Sequence, residues 1–290
     1  MVEVINVLSG KKEKVKPAEL IYFKKRNTDY ILSIPHGGIL IPVEYEYNID
    51  VKEILFIGMD SFTELLYDTG KGMIIASRIN KHLVNVNRFK GGSKDKSLPG
   101  HLRLDPVHAF SLTGRKIQKK EFSLKEKEKI LKFYDQYHSF IKKAIQEMKQ
   151  KHGYALLFDC HSMASIGMKH TPDYLKPRPD FVIGTLDDTS AHPKIITAFH
   201  KTLKTEAEKS GLTVKKNNPY KGGFITHKYS NPKEKVHVIQ LETKKANYMN
   251  EGLEDSWEGL RIKPKKFRKI KSIISKTIEA ASKEAKKLYS

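Results

Sequence analysis

One cysteine, Cys160, stands in 290 residues, so no internal disulfide can staple this chain. No apolar stretch approaches the ~20 residues that a membrane span requires. The first residues, Met1-Val2-Glu3-Val4-Ile5-Asn6, carry an early acid and no secretory pattern. A soluble, cytoplasmic protein is the expectation. Internal repeats are absent, as is any Pro/Gly/Ser-rich linker that would divide the chain, which predicts a single domain over residues 1–290. Acidic residues are in deficit, 33 against 54 Lys and Arg, for a formal charge of +21. Such an excess raises nucleic acid as a partner. Zinc-finger spacing, an aromatic RNA-binding signature and a clear recognition helix are all missing, however. The lysines are spread along the chain and interleaved with glutamate, as in Ser123-Leu124-Lys125-Glu126-Lys127-Glu128-Lys129. The densest basic stretch, Lys263 to Lys271, opens a C-terminal amphipathic segment and reads as a solvated helix face. The charge predicts attraction to small anions and argues against a nucleic-acid function. A basic protein that binds anions or nucleic acid without chemistry is the alternative class.

What is present is enough for a core: 39% of the residues are hydrophobic. The order of patterns predicts strands alternating with helices, hence an α/β protein. Residues 1–34 form a β-rich opening. The run from Ile54 to Tyr67 has helical spacing, with Leu65 and Leu66 on an apolar face below Asp60 and Glu64. Met73–Ala76 and Leu83–Val86 read as strands, and residues 89–118 as a long loop of the kind that lines binding sites. The clearest helix runs from about Ser123 to His152, opened by a capping box of Ser123 and Glu126 and stopped by Gly153. Strands are expected at Phe181–Gly184, Leu212–Val214 and Val236–Leu241. Helices are expected near Lys194–Ser210 and over Pro264–Leu288.

Four polar islands close apolar, strand-like runs: Ser33-Ile34-Pro35-His36-Gly37-Gly38, Val84-Asn85-Val86-Asn87-Arg88, Phe158-Asp159-Cys160-His161-Ser162 and Ile239-Gln240-Leu241-Glu242. In open α/β sheets ligands sit outside the carboxyl ends of the strands, so these islands can converge. Two histidines, a carboxylate and an arginine are the parts of a metal-assisted hydrolase that recognises an anion. Alternation places Asp159 and His161 on one face and turns Cys160 away, as a small buried apolar residue rather than a nucleophile. It likewise places Gln240 and Glu242 together, with His237 opposite as a structural neighbour. An imidazole bound to metal commonly hands its other N–H to a carboxylate, a role open to Asp159. An arginine fork pairs with a carboxylate, so Asn87 and Arg88 are candidate anion-binding residues. For each island a bland reading stands beside the functional one: an incidental turn histidine, a satisfied core histidine or a surface salt bridge.

Taken in order, these segments resemble the N-formylglutamate amidohydrolase (deformylase) family. The similarity runs from Ser33–Gly38 through Asp60 with Leu65-Leu66-Tyr67-Asp68, Val86-Asn87-Arg88, Gly153–Ser162 and Tyr220-Lys221-Gly222-Gly223-Phe224-Ile225-Thr226 to Gln240-Leu241-Glu242 and Tyr248-Met249-Asn250-Glu251. More distantly it resembles the zinc carboxypeptidases and succinylglutamate desuccinylases. The resemblance implies a mixed twisted sheet flanked by helices, carboxypeptidase-like or phosphorylase/hydrolase-like. It also implies one zinc per chain and a small anionic N-acyl amino acid as substrate, in the simplest case N-formyl-L-glutamate. Another acylated or peptide substrate, as for a related amidase or carboxypeptidase, is the alternative. On this pattern His36 and His161 bind metal, Asn87 and Arg88 grip a substrate carboxylate, and Glu242 is the general base. Lys221 and Thr226 are candidate pocket residues. One departure matters: the acid that carboxypeptidases carry three residues after the first histidine is replaced by Ile39. The third ligand then falls to Asp60, with Glu64 as the alternative. The loop from Gly91 to Arg115 also departs from the pattern, and its His101, Arg103 and His108 can line the pocket or form a basic surface.

Overall fold

The computed structural model describes residues 1–49, 59–111, 114–251 and 260–290. Its strands are β1 (Val2–Asn6), β2 (Lys12–Val15), β3 (Ile21–Lys24), β4 (Ile31–Ile34), β5 (Leu40–Pro42), β6 (Met73–Ser77), β7 (Ala155–Met163), β8 (Phe181–Gly184), β9 (Val214–Lys216) and β10 (Val236–Lys244). Its α-helices are α1 (Thr63–Tyr67), α2 (Leu124–His152), α3 (Pro193–Glu208), α4 (Phe224–Tyr229) and α5 (Pro264–Tyr289). None of the described helices is long and apolar enough to cross a membrane.

Seven strands form the main sheet in the order β3-β6-β4-β7-β10-β8-β9. The inner four, β6, β4, β7 and β10, run parallel, while β3 and β8 pair antiparallel to their inner neighbours. A small antiparallel sheet, β2-β1-β5, packs into the core on one side. Inner strands covered on both faces need apolar residues at successive positions, and β4, β6 and β7 are buried at every residue. The edges carry lysines instead, Lys24 in β3 and Lys215 in β9, which discourages pairing with another chain.

Two apolar layers sandwich this sheet. Ala155 and Leu157 of β7 join Ile31, Val238 and the buried stripe of α2, including Tyr134, Tyr137 and Ile141. Leu156, Phe158 and Cys160 face the other way, into Phe199 of α3 and Ile274 and Ile278 of α5. Cys160 is thus a buried thiol in an apolar layer. Helix α2 begins with the expected reciprocal cap: the Glu126 amide donates to Ser123 Oγ and the Ser123 amide to Glu126 Oε2 at 2.7 Å. It ends at Gly153, whose φ of 76° a β-carbon would oppose.

The site is set up by what happens on the α2 face as the strands run out. Apolar side chains stop at Ile31, Leu157 and Val238, and the next positions on that face are Ser33, Asp159 with His161, and Gln240 with Glu242. Parallel register aligns Gln240 with Asp159 and Glu242 with His161, and Ser33 with Asp159. A hydroxyl from the opposite layer fastens the two strand ends. Tyr67 OH donates toward the carbonyls of His161 (2.8 Å) and Leu241 (3.0 Å) and lies 2.9 Å from Thr243 Oγ1.

Three expectations are corrected here. Leu83–Val86 is not a strand. The Asn80 carbonyl accepts from the Leu83 amide at 3.0 Å and Asn85 donates to Pro106, so the chain curls and buries Leu83, Val84 and Val86 without a ladder. In the run expected as a helix from Ile54, residues 54–58 lie outside the described residues and the helix is only α1. There Leu66 is fully buried but Leu65 is exposed, because a single helical turn offers the core only one narrow face. The strand expected at Leu212–Val214 starts two residues later, at Val214, after the Thr213 carbonyl accepts from the amides of Asp180 and Phe181.

Candidate active site

The loops after β4 and β6 meet closely enough that side chains are excluded between them: a β-carbon on Gly38 would collide with the Ile79 carbonyl. This brings His36 beside the turn that carries Lys81 and Asn85. His36 Nε2 lies 2.8 Å from Asn85 Oδ1. That acceptor places the imidazole proton on Nε2 and leaves the Nδ1 lone pair facing Asp60 Oδ2, 3.6 Å away. His161 repeats the arrangement. Its Nε2 is 3.1 Å from Asp159 Oδ2 and its Nδ1 is 3.2 Å from the same Asp60 Oδ2. Asn87 Nδ2 also lies 3.1 Å from His161 Nε2. With the Asp159 carboxylate beside that nitrogen, the ring is the donor there and the Asn87 amide turns to Asp159. The main-chain amide of Ser162 donates to Asp60 Oδ2 at 3.1 Å.

His36, Asp60 and His161 therefore converge, each buried, with one candidate ligand atom apiece inside a 4.8 Å span. A tetrahedral centre with bonds of ~2.0–2.1 Å has ligand atoms about 3.3 Å apart, close to the 3.2 and 3.6 Å between the imidazoles and the carboxylate. The rings are oriented by partners on their far nitrogens, as metal-bound imidazoles are. The residues present fit a divalent metal. Glu64, the alternative third ligand, is not part of the cluster.

Electrostatics follow from depth. Burial, then the Lys81 charge, pushes His36 down to about 3, so this ring is neutral. Burial also opposes a proton on His161, but Asp159 and then Asp60 outweigh it and hold its pKa well above the usual value. Burial would raise Asp60, yet Lys81, whose ammonium is 3.5 Å away, and the two imidazoles hold it well below the carboxylate range. Among the described residues, Glu242 has no ion pair. Burial lifts its carboxyl to about 7, against the pull of His161, and Gln240 Nε2 donates to its Oε1 at 3.3 Å. The Gly223 amide in turn holds Gln240 Oε1 at 2.7 Å.

This cluster forms one wall of a 610 Å³ cavity, a size that takes a small organic ligand. Arg88 lines it, 5% exposed. Its Nη1 donates to the Asn87 carbonyl at 2.8 Å, its Nε has no hydrogen-bond partner among the described residues, and burial lowers its pKa to about 10. A guanidinium held in this way can receive a carboxylate from the cavity. Asn87 is pinned by accepting from the Ile225 amide at 2.7 Å and packs so tightly on Gly223 that a β-carbon there would strike its amide.

The structure thus gathers His36, Asp60, His161, Asn87, Arg88 and Glu242 at one cavity. Lys221 reaches only its rim, exposed and paired with Asp187 at 2.7 Å. Thr226 does not reach it: α4 turns this side chain inward, fully buried, beneath Gly222. His101 lines the cavity with its ring 6.1 Å from Tyr220, and burial followed by Arg88 pushes it down to about 3. Arg103 is exposed, and His108 Nδ1 donates to the Asp105 carbonyl. Residues that sequence reasoning passed over include Asn85, Lys81, Lys245 and Arg178. Asn85 was within reach, two positions before Asn87 in the same island. Arg178 carries Asp173 at 2.6 Å and stacks over Tyr220 at 5.1 Å, and no local pattern marks it among so many basic residues.

Comparison with known proteins agrees with this geometry. The chain is 26% identical over 240 residues to an N-formylglutamate deformylase of Pseudomonas aeruginosa, covering 80% of this chain and 86% of that one. It is 25% identical, with the same coverage, to one of Pseudomonas putida. A solved N-formylglutamate amidohydrolase from Ralstonia eutropha superposes with a TM-score of 0.72 at 19% identity, covering 90% of this chain and 96% of that one. A gene product of Agrobacterium tumefaciens superposes at 0.62 with 14% identity, over 93% and 96%. A family model for N-formylglutamate amidohydrolase matches residues 28–249. That stretch contains every residue of the cluster and of the cavity wall described above, and the chain belongs to the N-formylglutamate amidohydrolase family.

Proposed function

We propose that this protein is a zinc-dependent amidohydrolase that cleaves N-formyl-L-glutamate to formate and L-glutamate. The observation that carries the reading is the pair of imidazole Nδ1 atoms facing one buried carboxylate, beside a carboxyl at about 7 and a buried guanidinium. The names of the Pseudomonas relatives supply the substrate. Zinc held by His36, Asp60 and His161 would acidify a water toward a pKa of ~7 and polarise the formyl carbonyl.

The chain's own residues do the rest. Asn85 and Asp159 engage the Nε2 atoms of the two imidazoles, so that each Nδ1 is the atom turned to Asp60 and would serve a metal once His161 gives up its Nδ1 proton. Glu242, aligned with His161 on the neighbouring strand, takes the proton of the attacking water. It then delivers that proton to the amide nitrogen as the C–N bond breaks, so that glutamate leaves as an amine. Arg88 pairs with a substrate carboxylate and fixes the distance from anion to scissile bond. The lone buried cysteine is compatible with a cytoplasmic location, which belongs to the same proposal.

The test is metal content of the purified protein together with formate release from N-formyl-L-glutamate before and after chelation. About one zinc per chain and release that chelation abolishes support the reading. Release that survives complete metal removal would overturn the metal-dependent mechanism.

A further inference from the structure

The cavity is larger than N-formyl-L-glutamate requires. That molecule has about a dozen non-hydrogen atoms, and even at the ~30 Å³ that one water takes in the liquid they fill about 360 Å³. The cavity offers 610 Å³, which leaves room for roughly eight atoms more. Much of its wall is apolar. Leu102 and Met163 line it at 4% and 3% exposure, and they join neither of the layers that sandwich the sheet. Met168, Pro172 and Leu98 stand with them on the wall. An apolar side chain that faces open space forgoes contacts on that side, and an apolar space of this kind takes apolar atoms rather than water. Two carboxylates and a formyl group supply few of them.

Strand β7 fixes where that wall begins. Asp159, His161 and Met163 alternate onto one face, so Met163 stands about 6.6 Å beyond His161 along the strand. Asn87 meets β7 at Asp159 and His161, on the inner side of that step, and Arg88 follows directly on Asn87. The chain after Met163 is a built wall. Arg178 donates to Asp173 at 2.6 Å, to Thr171 Oγ1 at 3.0 Å and to the Ala164 carbonyl at 3.4 Å. The Gly167 amide donates to the Lys176 carbonyl at 3.0 Å, and a β-carbon on Gly167 would strike the Asp173 carbonyl. The Ser165 amide donates to Glu251 Oε1 at 2.5 Å. These bonds hold the loop of Met168 and Pro172 in place and keep it from collapsing into the space.

We infer that Met163, Met168 and Pro172 form an acyl pocket, and that the enzyme also hydrolyses N-acyl-L-glutamates whose acyl group is an unbranched alkyl chain of roughly four to six carbons. With the carboxylate on Arg88 and the scissile bond at the cluster, the acyl chain runs outward past His161 to Met163. Methionine adapts to chains of different length, because its thioether is unbranched and flexible. The water oxygen bonds to the acyl carbon, the C–N bond breaks with its electron pair on nitrogen, and Glu242 carries the water proton there. A short-chain carboxylic acid leaves with L-glutamate. The inference rests on the amidohydrolase reading of the site, and a series of acyl groups separates the two.

The experiment measures kcat/KM of the zinc-loaded protein for N-formyl-, N-acetyl-, N-butanoyl- and N-hexanoyl-L-glutamate. The last three have amide carbonyls of like reactivity, so differences among them read the pocket. Calorimetry on zinc-loaded Glu242→Gln, with and without Met168→Trp, compares binding of the acetyl and hexanoyl compounds without turnover. The expected result is a kcat/KM that rises about twofold to fourfold per methylene from acetyl to hexanoyl, chiefly through KM. Met168→Trp fills the pocket and Met163→Ser makes it polar, each checked for zinc content and thermal unfolding. Both lower kcat/KM for the hexanoyl compound about tenfold to a hundredfold more than for the acetyl compound. Met168→Trp decides the matter where Met163→Ser loses zinc. A series that is flat or falls with chain length, or a rise that both variants leave intact, overturns the pocket; cleavage of the formyl compound then leaves the deformylase reading standing. A rise without cleavage of the formyl compound supports the pocket and overturns that reading. Where no compound is cleaved, that reading falls and calorimetry decides the pocket. Tighter binding of the hexanoyl compound, lost with Met168→Trp, supports it, and equal binding of the two overturns it.

Discussion

Strand β7 contains two regions that are equally buried and chemically opposite. From Ala155 to Phe158 it is apolar and serves two hydrophobic layers. From Asp159 to Ser162, still buried throughout, it presents a carboxylate, an imidazole and a hydroxyl, Cys160 alone continuing the apolar face. The first half lowers the free energy of folding by removing apolar surface from water. The second half raises it, because its polar groups surrender water: Asp159 and His161 exchange it for partners of fixed geometry, and the Ser162 hydroxyl finds none among the described residues. The difference teaches that depth alone does not mark a core. A run that remains buried while its chemistry inverts marks a site, and here the same inversion occurs in β10 between Val238 and Glu242.

The most severe way to break the polar half is His161→Ala. It removes one of the three clustered donors, and both zinc content and formate release are expected to drop to background, measured by metal analysis and a formate assay. Glu242→Gln keeps the cluster but removes the base. Turnover should fall by about 10²–10⁴-fold with zinc retained.

That same substitution sharpens the comparison through pH. The Glu242 carboxyl is raised in the folded state to about 7 from 4.5, so its proton is bound more tightly folded than unfolded. In metal-free protein the burden on stability is therefore fully present above pH 7 and disappears as pH falls below 4.5, about 3 kcal/mol in all. Metal-free Glu242→Gln should unfold at a higher temperature than the parent at pH 8, and the two should agree near pH 4 as far as this group is concerned. Turnover by the parent, which needs the ionised base, is lost as pH falls through an acid limb at or below about 7.

Leu156→Ala strikes the apolar half of β7. It should cost about 2–5 kcal/mol in denaturant unfolding, while folded molecules keep their zinc. Asn85→Ala frees the His36 ring without touching its Nδ1, and zinc affinity should weaken about 10–100-fold in competition with a chelator. Smallest of all, Lys221→Met removes only an exposed rim pair, worth at most about 1 kcal/mol, and kcat/KM should move less than about fivefold.

Much of this contrast was legible in the sequence, because strand alternation is local. The pattern Asp159-Cys160-His161 fixes which side chains share a face, and Gln240-Leu241-Glu242 repeats it one strand away. Helix α2 was readable from its cap, its stripe and Gly153. Asp60 was a different matter. It stands in a loop before a single helical turn, with no periodicity to declare it, and only the family resemblance pointed to it. Leu83–Val86 misled because a buried curl and a strand have the same apolar composition, and only the hydrogen bonds of Asn80 and Asn85 separate them. Lys81, Lys245 and Arg178 were hidden by abundance, since 54 basic residues give no sign of which ones face inward. Thr226 was placed in the pocket by its company, but helical rotation took it elsewhere.

The short stretch 59–67 carries Asp60 at one end and Tyr67 at the other, with Tyr248 fastened to it at Ser61, next to Asp60. Asp60 faces both imidazoles, and the Tyr67 hydroxyl sits on the carbonyl of His161 and the carbonyl before Glu242. It works as a keystone: one segment sets the ligand spacing and also the gap between ligand and base. It cannot loosen its hold on metal uptake without loosening proton transfer as well. Substitutions that adjust either step alone must come from outside it, from loops such as 91–111 that shape the cavity without bearing on both strand ends.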